Sequence, residues 1–111
     1  MSNHSQRRLS DDALELRREA GRWLKQRREE VGLSQRELAA LVGAEYYTFV
    51  SQLESGRGRV PPERYRAWAT ALQMQPRDFV RTILRYYDIL TYEILFEDEE
   101  VQATAPHAGR V

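Results

Sequence analysis

Ser34-Gln35-Arg36-Glu37 constrains this chain more than any other stretch. A serine three residues ahead of a glutamate, with Leu38, Ala39, Leu41 and Val42 following, is a capping box. The Ser34 hydroxyl can accept from the Glu37 amide while the Glu37 carboxylate reaches back to the Ser34 amide. Gly43 supplies the C-terminal stop. A further helix is predicted from about Glu45 to Ser55, with Phe49, Val50 and Leu53 inward and Gly56 ending it. Two helices this short are stable only when held across one another by the turn, so Leu38, Ala39 and Val42 should pack on Val50 and Leu53. Ala39 faces the crossing, where a larger side chain would push the helices apart. The outer face of the second helix is then polar and mostly uncharged: Tyr46, Tyr47, Thr48, Ser51 and Gln52. A rigid helix with such a face suits the donor and acceptor edges of the DNA major groove.

The rest of the chain reads as helix around this pair. Residues 1–9 are polar and aperiodic, an expected disordered arm. Ser10-Asp11-Asp12 offers an N-cap and two acids where a helix dipole favours them. Ala13, Leu16, Ala20, Leu24 and Val31 follow at steps of three or four until Gly32, predicting a helix over 11–31 of about 31 Å. Gly21 inside it costs about 1 kcal/mol relative to Ala and invites a bend. Gly56-Arg57-Gly58-Arg59 reads as a basic loop, and Pro61 and Pro62 can start a helix whose inner face is Tyr65, Trp68, Ala69 and Leu72. Pro76 opens another with Phe79, Val80, Ile83, Leu84 and Tyr87. Asp88 can cap a last short helix through Phe96, although the alternation of Tyr92, Ile94 and Phe96 also fits a strand. The fold class predicted is all-α.

Charge separates the chain into two parts. It has 111 residues and a formal net charge of zero. Through Arg85 there are 16 basic side chains against 11 acidic ones, a net of +5, and from Tyr86 one against six, a net of −5. A basic body suggests an anionic partner. With no cysteine, disulfide frameworks and Cys-based zinc sites are excluded. No apolar run approaches the roughly 20 residues needed to span a bilayer, and the N-terminal residues lack the apolar stretch of a signal peptide. The expectation is a cytoplasmic protein with no membrane association. No phosphate-binding glycine motif precedes a helix, and no nucleophile has a companion base, so an enzyme is not expected. Neither a metal nor a cofactor is expected. His4 and His107 lie far apart in the presumed tails, and the acids Glu97 to Glu100 read as a solubilising run.

Gly32-Leu-Ser-Gln-Arg-Glu-Leu-Ala39, then Val42-Gly43, then Val50-Ser-Gln-Leu-Glu-Ser-Gly56 resembles the Cro/repressor-like (XRE) family of helix-turn-helix regulators, over about Trp23 to Val80. The resemblance implies a five-helix, lambda-repressor-like DNA-binding domain that binds a double-stranded DNA operator as a dimer. It implies that Gln35, at the start of the second helix, grips phosphate, and Arg36 beside it is counted among the DNA-binding residues. It also implies that Glu54 pairs with Arg28, and that Arg57 and Arg59 lie along the DNA backbone. Between Gly43 and Gly56 this chain has one residue more than the usual family spacing. Counting back from Glu54 puts Tyr47, Thr48 and Gln52 at the base-reading positions, whereas counting forward from Gly43 selects Tyr46, Tyr47 and Ser51. Tyr46, Tyr47 and Phe49 also fit as core aromatics. Arg57 and Arg59 also fit an ordinary solvated loop, and Arg27, Arg28, Glu29 and Glu30 can balance one another.

The organisation expected is an arm over 1–9, a helix-turn-helix DNA-binding domain over 10–87, a C-terminal helical extension for dimerisation over 88–96, and an acidic disordered tail over 97–111. Ile83, Tyr87, Leu90, Ile94, Leu95 and Phe96 are the expected homodimer interface, because so much apolar surface exceeds what a small core absorbs. The alternative is that Ile94 to Phe96 folds back within one subunit. The function expected is a sequence-specific transcriptional regulator, a dimeric repressor of phage or prophage type controlled by its concentration or by partners. The competing reading is an antitoxin-like interaction protein that neutralises a protein partner through its C-terminal segment.

Overall fold

The computed structural model describes the backbone of residues 3–97 and the side chains of residues 12–97. Six α-helices follow in order: α1 (Asn3–Val31), α2 (Gln35–Leu41), α3 (Thr48–Glu54), α4 (Tyr65–Ala71), α5 (Pro76–Tyr87) and α6 (Ile89–Tyr92). A 3-10 turn at Pro62–Arg64 leads into α4, and a π-helical turn at Glu93–Glu97 continues α6. Among the described residues there is no strand, so Tyr92, Ile94 and Phe96 lie on helix rather than on alternate faces of a sheet. The residues from Asp98 onward, where most of the acidic run falls, lie outside the described residues, as do the side chains of His4, Arg7 and Arg8.

Packing follows the apolar stripes. Leu24 of α1, Leu38 of α2, Val50 and Leu53 of α3, Trp68 of α4, and Phe79 and Ile83 of α5 are buried in one core, with Val60 and Leu72 from the connecting segments. The Phe79 ring lies 5.8 Å from Trp23 and 5.9 Å from Tyr65, centroid to centroid, so one aromatic ties α1, α4 and α5 together.

Three expectations need correction. Helical backbone begins at Asn3, so Ser10 lies inside α1 and is not its cap. No glycine or proline interrupts residues 3–10, and Leu9 continues the stripe four residues ahead of Ala13. Leu41, placed on the inner face of α2, is exposed, whereas Leu38 and Ala39 are buried. Gly21 serves close approach instead of a bend. The helix runs unbroken through it, and an added Cβ would collide with the Glu54 carbonyl and stand 2.7 Å from that of Leu53. The same crossing needs Gly56, where φ is +85° and the Arg18 backbone lies 3.0 Å from the Cβ position.

Arginines on one element close the C-terminal ends of others. The Arg27 Nε donates to the Leu72 carbonyl at 2.9 Å and its Nη2 to that of Gln73 at 3.2 Å, satisfying carbonyls that the end of α4 leaves open. Arg64 Nη1 donates to Val42 at 2.7 Å and so pins the turn after α2. These contacts span 45 and 22 residues, beyond any local sequence pattern.

The C-terminal segment is partly claimed by its own subunit. Asp88 caps α6, accepting from the Thr91 amide at 3.1 Å and hydroxyl at 2.6 Å, and these two bonds hold its carboxyl below the usual range. Phe96 is buried beneath the Arg77 and Arg81 guanidiniums, 5.1 and 5.2 Å from its centroid, and Arg85 covers Tyr92 at 5.1 Å. Ile83 is wholly inside the core and Tyr87 is half-buried. Of the six residues expected at a dimer interface, therefore, Ile83 and Phe96 are used within the chain. Leu90, Ile94 and Leu95 remain 70%, 67% and 50% exposed.

Candidate nucleic-acid interface

The start of α2 is built as the capping box requires. The Ser34 hydroxyl accepts from the Glu37 amide at 3.0 Å, and Glu37 Oε1 accepts from the Ser34 amide at 2.9 Å. Hydrogen bonding of the carboxylate to the Ser34 backbone amide, foremost, and to the Ser34 side chain holds Glu37 below the ordinary carboxylate range. The cap fixes Gln35 and Arg36 in the first turn of α2.

Behind that turn lies a buried ionic cluster. Arg28 Nε donates to Glu54 Oε2 at 2.6 Å and Nη2 to Oε1 at 3.0 Å, a bidentate pair whose side chains are 9% and 4% exposed. Arg28 Nη1 also donates to the Leu33 carbonyl at 2.8 Å, and Gln35 Nε2 donates to Glu54 Oε1 at 3.0 Å. The hydrogen bond to Glu54 raises the Arg28 pKa against the opposing effect of burial. Three elements thus meet at one carboxylate: the end of α1, the start of α2 and the end of α3. Within 27–30 the balancing is partial: Arg27 pairs with Glu30 at 3.3 Å, while Arg28 turns to Glu54 and feels Glu29 only through its charge, and the Gln35 amide is held against the scaffold.

Helix α3 starts later than the sequence suggests. The segment from Ala44 to Tyr47 is non-helical by hydrogen bonding, and α3 opens at Thr48 without a side-chain cap. Tyr47, at the N-cap position, makes no side-chain hydrogen bond to the first amides of α3. Tyr46 and Tyr47 are exposed rather than core, while Phe49 is half-buried against the core as expected. Thr48, Ser51 and Gln52 are exposed on α3 itself. Arg36 lies over the Tyr47 ring, 4.5 Å from its centroid. With Gln35 joined to the far end of α3 and Arg36 to the turn before it, the start of α2 spans the exposed face of α3.

Arg57 and Arg59 differ. Arg57 is exposed in the loop after α3, and no ion pair engages it among the described residues. Arg59 is also exposed, but Nη2 donates to the Tyr87 carbonyl at 3.3 Å and the guanidinium sits 4.9 Å from the Tyr87 centroid. The loop is thereby fastened to the end of α5. The nearby Val60 amide donates to the Tyr87 hydroxyl at 3.1 Å, and burial pushes that phenol above its ordinary value.

A family model described as helix-turn-helix matches residues 24–79, half of the chain, from the buried Leu24 of α1 to the buried Phe79 of α5. The match takes in α2, α3, the capping box and the Arg28–Glu54 pair. No curated protein matches the chain. Among the described residues, no helix is long and apolar enough to cross a membrane.

Proposed function

The chain belongs to the Cro/repressor-like (XRE) helix-turn-helix family of DNA-binding regulators, and on that premise we propose that it represses transcription as a two-fold dimer of phage or prophage type. The observation that carries the reading is the exposed face of Thr48, Ser51 and Gln52 on a helix locked to the scaffold by Arg28, Glu54 and Gln35. A helix anchored to the scaffold through its last residue can carry uncharged donors and acceptors to base edges at a smaller loss of conformational freedom on binding. Arg57 and Arg59, in the loop after that helix, and Gln35, at the start of α2, serve the phosphates, which fix register and orientation. Tyr46 and Tyr47 lie at its leading edge.

One such helix reads only a few base pairs, so a second copy is needed for a unique site. The exposed apolar strip of Leu90, Ile94 and Leu95 supports that copy as its occupant. A two-fold arrangement would set two recognition helices about 34 Å apart, one DNA turn, and require a near-palindromic operator. No feature of the fold favours the antitoxin-like alternative over a second copy.

The test is selection of bound fragments from genomic DNA, footprinting of the winners, and sedimentation of the wild type beside a Leu90→Glu, Ile94→Glu variant. The expected result is a near-palindromic footprint, a dimer at micromolar concentration, and a monomeric variant with weaker operator binding. A wild type that stays monomeric, with unchanged operator affinity in the variant, refutes the dimer.

A further inference from the structure

We propose that Arg36 and Tyr47 form one base-reading unit, in which the Tyr47 ring orders the Arg36 guanidinium for the edge of a guanine; this rests on the DNA-binding reading above. The two residues lie on different elements, Arg36 in the first turn of α2 and Tyr47 immediately before α3. The guanidinium carbon stands 4.5 Å from the ring centroid, a cation–π contact. Both side chains are exposed, and among the described residues no carboxylate pairs with Arg36.

Stacking engages the flat face of a guanidinium and leaves its N–H donors at the edge free. In a long side chain that is otherwise mobile, the ring supplies a support that restricts the rotamers before DNA arrives. A planar fork held in this way matches the O6 and N7 acceptors of guanine in the major groove, the commonest specific contact of arginine. Its place is also suited to reading. The N-terminal end of a recognition helix approaches the base edges, and Tyr47 stands at that end. A lysine would keep the charge but lose the fork and the planar stack. Tyr47 is accordingly a positioning residue, acting through Arg36 and not through its own hydroxyl. The extra residue in the turn between Gly43 and Gly56 lies just ahead of the ring that carries the arginine.

The experiment starts from the preferred site selected by the wild type. Wild type, Arg36→Lys, Tyr47→Phe and Tyr47→Leu are compared on that site, on versions with each G·C pair changed singly to A·T, and on random DNA, over a salt series. Circular dichroism checks that each variant is folded. The expected result is that Arg36→Lys binds the preferred site roughly 5- to 150-fold more weakly. It should lose its preference at one G·C pair per half-site, while random-DNA affinity and salt slope stay as in the wild type. Tyr47→Leu should lose preference at the same pair, and Tyr47→Phe should retain it. Uniform weakening of all DNAs by Arg36→Lys, or unchanged discrimination at every pair, overturns the proposal. Loss of preference in Tyr47→Phe overturns the positioning role. A wild type that selects no preferred sequence overturns the underlying reading instead, so the two failures are distinguishable.

Discussion

Removing the Glu54 carboxylate isolates the cluster that holds the recognition helix. Glu54→Ala would leave the Arg28 guanidinium under the same cover with only the Leu33 carbonyl as a hydrogen-bond acceptor. Three bonds are lost: the two from Arg28 are charge-assisted, 2.6 and 3.0 Å long, between side chains 9% and 4% exposed, and Gln35 loses its 3.0 Å bond to the same carboxylate. Breaking one partner of a buried pair costs about 3–5 kcal/mol, because the remaining charge stays desolvated. For a domain of this size, each kcal/mol lowers Tm by about 4–8 °C, so a fall of at least about 12 °C is expected. Urea denaturation followed by the fluorescence of Trp23 and Trp68 reads the same quantity as a shift in midpoint. The double variant Arg28→Met, Glu54→Leu, which leaves no buried charge, should recover much of the loss. A loss below about 1 kcal/mol for Glu54→Ala, the value of an exposed pair, would refute the reasoning.

Gly21→Ala should destabilise by about 1–3 kcal/mol or more, although helix propensity alone favours it; the new Cβ meets the carbonyls of Leu53 and Glu54, and denaturation curves decide. Glu37 has a depressed folded-state pKa, so its contribution to stability is present above its unfolded value and is lost as pH falls through the folded one. Glu37→Gln, which removes the titrating group, should flatten that acid-side decline in a pH series of melting curves, and an unchanged slope would dissociate the cap from it. Arg57→Ala should weaken all DNA sequences alike and lower the salt slope by about one unit, whereas Gln52→Ala should cost about 1–3 kcal/mol on the preferred site and relax one position in competition binding.

What was legible in the sequence was local. The capping box, the stops at Gly43 and Gly56, the proline at the start of α5 and the Asp88 cap each depend on residues within four positions, and each forms as read. The inward stripes of Leu38, Val50, Trp68 and Phe79 were equally plain, because periodicity and burial have one cause. The opening of α3 was not plain, since aromatic residues fit both a helix face and an exposed turn. Leu41 looked like core only by spacing. What covers a short helix depends on neighbours, and those around Leu41 leave it 58% exposed. Arg27 and Arg64 cap carbonyls on distant elements, and Phe96 is buried by arginines of α5. Such contacts leave no local pattern. The Arg28–Glu54 pair entered through family resemblance, and without it no spacing rule would join residues 26 positions apart.

Tyr87 makes three attachments at once: its ring lies under Arg59, its hydroxyl accepts from Val60, and its carbonyl accepts from Arg59. It is also the last residue of α5, one step before the cap of α6. The basic loop beside α3 and the segment carrying Leu90 and Ile94 therefore share a single pivot. Any rotation of α6 that turns Tyr87 must release or tighten Arg59, and any ligand that draws Arg59 outward must loosen the pivot. Thermodynamic linkage makes such an effect reciprocal: whatever free energy an event at the C-terminal strip lends to the loop, an anion at the loop returns to the strip. Tyr87 is the residue common to both surfaces, and Tyr87→Leu is the substitution that tests whether binding at one is felt at the other.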